Sequence, residues 1–120
     1  LLELDLSINN LSFIDSFVFN DLKSLTYLNL SFNEFESIDR NLTLPLINLI
    51  IFDLSHNKIR LIEHGLFSNM NYILKLYLND NLFNTIENEA LSGLYSIKEI
   101  FVSKNLFSNQ TNVFNVRNSF

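Results

Sequence analysis

The stretch LDLSINNL, Leu4–Leu11, sets a polar Asn9 among apolar side chains. LNLSFNEF (Leu28–Phe35), FDLSHNKI (Phe52–Ile59), LYLNDNLF (Leu76–Phe83) and IFVSKNLF (Ile100–Phe107) repeat the arrangement. Counting from Leu1, the unit is LxxLxLxxNxL, and it recurs at Leu25, Leu49, Ile73 and Ile97, always 24 residues on. Position four reads Leu4, Leu28, Phe52, Leu76, Ile100, and position six reads Leu6, Leu30, Leu54, Leu78, Val102. Position nine is Asn9, Asn33, Asn57, Asn81, Asn105 without exception, and position eleven is Leu11, Phe35, Ile59, Phe83, Phe107. Five units of 24 account for all 120 residues. A period of this length is the mark of a solenoid.

The second half of the unit is looser. Position fourteen holds Ile14, Ile38, Ile62 and Ile86 before lapsing to Gln110. Position nineteen holds Phe19, Thr43, Phe67, Leu91 and Asn115, and position twenty-two holds Leu22, Leu46, Met70, Leu94 and Asn118. Thr43 is the main lapse of the first four units, and the fifth departs at all three places.

This pattern resembles the leucine-rich repeat family over the whole chain. It is most similar to the 24-residue class LxxLxLxxNxLxxIxxxxFxxLxx of Toll-like receptors, small leucine-rich proteoglycans and slit proteins. The resemblance implies a right-handed α/β solenoid with a parallel β ladder on its concave side and irregular, short-helical returns on the convex side. It also implies a non-catalytic recognition module, part of an extracellular or receptor ectodomain that binds a protein ligand or co-receptor.

The residues support that architecture on their own terms. Alternation sends positions four and six inward and positions three, five and seven outward, the period of a strand. Thirteen residues return to the next strand, and ENEALSGL (Glu87–Leu94) is the best candidate there for a short helical piece. Where the chain leaves the strand, backbone groups lose their ladder partners, and an asparagine amide offers two donors and an acceptor to replace them. The row Asn9, Asn33, Asn57, Asn81, Asn105 is therefore read as structural.

The inward side chains of one unit bury less than ordering its backbone costs, so stability must come from stacking neighbours. The chain is read as one array, 1–120, in units 1–24, 25–48, 49–72, 73–96 and 97–120. Unit one opens at full consensus without a cap, which suggests an internal segment of a longer array. Unit five is a candidate last unit, with Val113, Phe114 and Val116 filling the core in a shifted register.

Composition narrows the functional classes. Apolar residues make up 48% and charged residues 18%, the balance of a folded chain rather than a disordered one. A net charge of −5 with no basic run argues against nucleic acid. Cysteine is absent, which removes disulfides, thiolate zinc sites and thiol nucleophiles. No membrane helix is expected: the run Leu42–Leu54 is broken by Thr43, Pro45, Asn48 and Asp53 and falls short of the ~20 apolar residues such a span needs. No cofactor or metal is expected either. Asp53 and His56 share the outward face of unit three without a nucleophile or oxyanion arrangement beside them. His64 stands alone in a return segment, NDN at Asn79–Asn81 lacks a calcium loop's glycine and spaced acids, and neither Gly65 nor Gly93 sits in a phosphate loop.

Four sequons begin at Asn10, Asn29, Asn41 and Asn109, about the number chance would supply in a chain this rich in asparagine and serine. Asn41, Asn10 and Asn109 are the candidate glycosylation sites; a glycan on Asn29 would block part of the ladder's outer face.

That outer face, positions three, five, seven and eight, carries the informative variation. Its 20 positions approach the ~20–30 residues a side of a standard protein interface. Tyr27, Phe32, Ile51, Tyr77 and Phe101 stand where alternation predicts solvent, and interfaces favour such anchors. With Asn29, Asp53 and His56 they form the expected ligand-binding set. An intracellular scaffold on the same solenoid, or a targeting domain joined to an enzyme elsewhere in the chain, are the alternative functions.

Overall fold

The computed structural model describes residues 1–107. Five three-residue strands, β1 (Glu3–Asp5), β2 (Tyr27–Asn29), β3 (Ile51–Asp53), β4 (Lys75–Tyr77) and β5 (Glu99–Phe101), form one parallel sheet in chain order. Each pairs with the next in a register of 24 residues, Leu4 with Leu28, Phe52 and Leu76 in succession, then Ile100. The repeat in the sequence is thus the register of the ladder, and the fold is the right-handed leucine-rich repeat solenoid that the sequence predicts.

Alternation alone predicts strand through position seven, yet the regular strand ends at five. In the first three units a local bond accompanies this end, whereas β4 and β5 stop at Tyr77 and Phe101 without one. Asp5, Asn29 and Asp53 each turn Oδ1 back to accept the backbone N–H of Ser7, Ser31 and Ser55, at 2.9 Å in all three units. The N–H of position seven is thereby withdrawn from the ladder. Cross-unit bonding resumes at position eight, whose N–H donates to the position-seven carbonyl of the next unit, as from His56 to Asn79 at 3.0 Å.

The core is the set of inward positions. In units two to four every one of them is buried: Leu25, Leu28, Leu30, Phe35, Ile38, Thr43 and Leu46, and their equivalents in the two units that follow. Unit one is different, with Leu1 71% exposed and Leu4, Leu6, Leu11 and Ile14 only half-buried. Burial follows stacking on both sides, as a solenoid requires.

The convex returns are a chain of turns. In all four described returns the carbonyl of position nineteen accepts the N–H of position twenty-two, as in Met70 to Phe67 at 3.0 Å. This closure brings two inward side chains three residues apart to the same side. ENEALSGL contains a 3-10 turn over Asn88–Leu91, burying Ala90 and Leu91. One helical turn was not legible: α1, Arg40–Thr43, capped by Asp39, whose side chain accepts the N–H of Asn41 at 2.9 Å. Thr43, the lapse at position nineteen, is fully buried in the phenylalanine's place, and its hydroxyl donates to the Leu66 carbonyl at 2.6 Å. Gly93, at φ +105°, lets the return of unit four lie on that of unit three: a Cβ there would stand 2.2 Å from the Phe67 carbonyl oxygen. The capping residues Val113, Phe114 and Val116, and the sequon at Asn109, lie outside the described residues.

Candidate functional site

The asparagine row marks the inner limit of the concave surface. Asn57 donates through Nδ2 to the carbonyls of Leu30 (3.0 Å), Leu54 (3.2 Å) and Ser55 (3.1 Å), and its Oδ1 accepts the N–H of Phe35 at 3.1 Å. Asn33, Asn81 and Asn105 make the same bonds to their own and the preceding unit. Asn9 donates within its own unit, to Leu6 and Ser7, both at 3.0 Å. Among the described residues no buried side-chain polar atom lacks a partner, so the buried amides of Asn33, Asn57 and Asn81 offer nothing to a ligand.

One residue before each asparagine the backbone turns left-handed. Ile8, Phe32, His56, Asp80 and Lys104 all have φ between 55° and 58°, a conformation costing about 1–2 kcal/mol for a residue with a Cβ. The twist throws these side chains outward onto the rim of the concave face while the next residue turns in. Phe32 (52% exposed) stacks on His56, ring centroids 4.0 Å apart and planes 9° off parallel. His56 Nε2 lies 3.4 Å from the Asp80 carboxylate, which also accepts the amide of Asn79 at 2.8 Å.

In the row at position five, Tyr77 and Phe101 stack at 4.6 Å and 9°. Asp5, Asn29 and Asp53 occupy the same row in the first three units. Of the expected set, Tyr27, Asn29, Ile51, Asp53, His56, Tyr77 and Phe101 are half-buried and Phe32 is exposed. The ladder brings all eight onto one face. Asn29 and Asp53 are partly committed already, because Ser31 and Ser55 also bond them through the hydroxyl at 2.6 Å. Bonds from the Ser7 hydroxyl and N–H hold the Asp5 carboxyl below the usual carboxylate range.

The face carries Glu3, Asp5, Asp53, Asp80 and Glu99 against Lys75 and Lys104. Lys75 is drawn to Glu99 at 3.9 Å. Among the described residues no cluster of three or more acids and histidines is arranged to hold a metal. No described helix is long and apolar enough to cross a membrane.

A second surface escapes the sequence reading. Where the returns enter the strands, Ser24, Thr26, Asn48, Ile50, Tyr72 and Leu74 line an open groove of about 550 Å³ that ends at Ser96. Tyr72 is the most exposed apolar side chain of its lining, at 61%. Positions two and twenty-four fall outside the consensus, so only the apolar Ile50 and Leu74 at position two hinted at it.

A leucine rich repeat family profile matches residues 1–59 and 47–107. Among solved structures, a crystal structure of a TLR13–ssRNA13 complex aligns with a TM-score of 0.83 and 29% identity. The alignment covers 92% of this chain and 16% of that one, so the chain spans a small part of that receptor's length. No curated protein matches the chain significantly. The chain belongs to the leucine-rich repeat family, whose solenoids are in general protein-interaction modules rather than catalysts.

Proposed function

We propose that the chain is part of an extracellular or receptor ectodomain and binds a protein ligand through the concave face. The observation that carries this reading is the pair of exposed-edge stacks, Phe32 on His56 and Tyr77 on Phe101. Preformed aromatic planes bury large area at little entropic cost when a partner covers them, which is why interface anchors are enriched in such residues. Ile51 and Tyr27 extend the same surface across β2 and β3.

The similar receptor was solved with RNA, but the charge of this face supports a protein ligand instead. Five carboxylates against two lysines oppose a phosphate backbone, whose binding rests on cationic contacts. The 24-residue class and the resemblance to a receptor support the ectodomain assignment, with Asn41 and Asn10, both exposed, as candidate glycan carriers.

A photoreactive amino acid placed at Tyr27 or Phe32, and separately at the convex Leu61, tests the assignment. The concave probes are expected to capture one discrete protein partner and the convex probe none; capture only from Leu61 would refute the concave reading. For the compartment, secretory expression followed by glycosidase digestion is expected to shift the mass at Asn41. An unshifted mass favours the intracellular scaffold.

A further inference from the structure

The two aromatic stacks end differently. In the row at position eight, Phe32 lies on the His56 ring, and the imidazole nitrogen meets the Asp80 carboxylate of the next unit at 3.4 Å. Aromatic ring, nitrogen-bearing plane and carboxylate follow one another along three units. In the row at position five, Phe101 lies on Tyr77, and the register partner on the other side of Tyr77 is Asp53. The ring and the carboxylate are present there, but the nitrogen-bearing plane between them is not.

Because the Tyr77 ring is parallel to that of Phe101, its second face looks along the ladder toward unit three, where the short Asp53 side chain stands about 4.8 Å away at the backbone. The face of an aromatic ring is electron-rich, and so is a carboxylate. Asp53 Oδ1 is held by Ser55. Oδ2 has no hydrogen-bond or ion-pair partner among the described residues, and Lys75, on the same face, is turned to Glu99. Two electron-rich groups, both half-buried, are therefore register neighbours on adjoining strands.

Resting on the concave-face reading above, we propose that the surface over the short Asp53, beside the free face of Tyr77, receives an arginine side chain of the protein ligand. Its guanidinium lies on the free face of Tyr77 as the third plane of the Phe101–Tyr77 stack and donates to Asp53 Oδ2. Arginine fits better than lysine because its planar group stacks on a ring while its edge donors reach a carboxylate. The Phe32–His56–Asp80 succession is the molecule's internal version of the same sandwich.

The test uses random peptides displayed on phage and panned against the intact protein, with Asp53→Asn in parallel. Asparagine keeps the Oδ1 acceptor for Ser55, as Asn29 does for Ser31 at 2.9 and 2.6 Å, so only the charge is removed. Bacterial expression is needed, because Asp53→Asn completes a sequon with Leu54 and Ser55. Enriched peptides are expected to share an arginine. Replacing it with citrulline, and separately introducing Asp53→Asn, should each weaken binding about tenfold. The two losses should not add, as for groups in contact. Peptides that need Tyr27 and Phe32 but carry no arginine, or ignore Asp53→Asn, overturn this proposal and leave the concave reading standing. Peptides indifferent to every concave substitution overturn both.

Discussion

Asn57 and His56 are neighbours in the chain, yet they occupy opposite regimes of the solenoid. Asn57 is buried and its amide serves four backbone groups in two units. His56 sits in a left-handed conformation on the rim, and its imidazole meets the side chains of Phe32 and Asp80 in the adjoining units. Position nine is asparagine in all five units, while position eight runs Ile, Phe, His, Asp, Lys. Each turn of the ladder leaves the same backbone groups open at position nine, so one side chain answers the demand every time. At position eight the backbone geometry recurs equally strictly, but the side chain leaves the protein and is unconstrained by it. The solenoid thus separates side chains that serve the backbone from side chains that face outward within two adjacent residues.

The strongest way to break this comparison is Asn57→Leu. It leaves the Phe35 N–H and three carbonyls to find other partners, and a loss of about 3–6 kcal/mol is expected in urea unfolding. His56→Ser should cost less than about 1 kcal/mol. Comparable losses at the two positions would erase the distinction.

Thr43 sharpens the contrast from the other side, as a polar residue at an inward position. Thr43→Val removes the hydroxyl that donates to Leu66 while keeping the shape, and should destabilise by about 1–2 kcal/mol. A neutral or stabilising result would mean the carbonyl has another donor and the lapse is only a tolerated gap.

Ile8→Gly tests whether position eight carries strain. Ile8 is β-branched at φ 58°, a conformation glycine adopts freely. Net of glycine's greater unfolded-state freedom, the gain should be about 0.5–1 kcal/mol, seen as a raised Tm.

The period, the register and the inward positions were legible because stacking makes the same demand of every unit. ENEALSGL was legible because Ala90, Leu91 and Leu94 fall on one side. The helical turn at Arg40–Thr43 was not, since its formation depends on Asp39 capping rather than on apolar spacing. At the concave face, alternation identified the outward residues, but the bonds from Ser31 to Asn29 and from Ser55 to Asp53 were hidden. They accompany the end of the strand at position five, which alternation does not mark. The left-handed turns were hidden too, as Ile8, Phe32 and Lys104 are not residues that announce φ > 0. The apolar groove at the strand entrances joins positions from the end of one unit and the start of the next, and no consensus letter marks it.

Two exposed surfaces therefore compete for the role of recognition site, and one measurement separates them. The affinity of the photo-captured partner is compared for the concave pair Tyr27→Ala with Tyr77→Ala and for the groove pair Tyr72→Ala with Leu74→Ala. The concave pair is expected to weaken binding about a hundredfold, as for two interface anchors, with Tm nearly unchanged and the groove pair within about threefold of the parent. A groove pair that abolishes binding while the concave pair leaves it intact would contradict the concave face as the site.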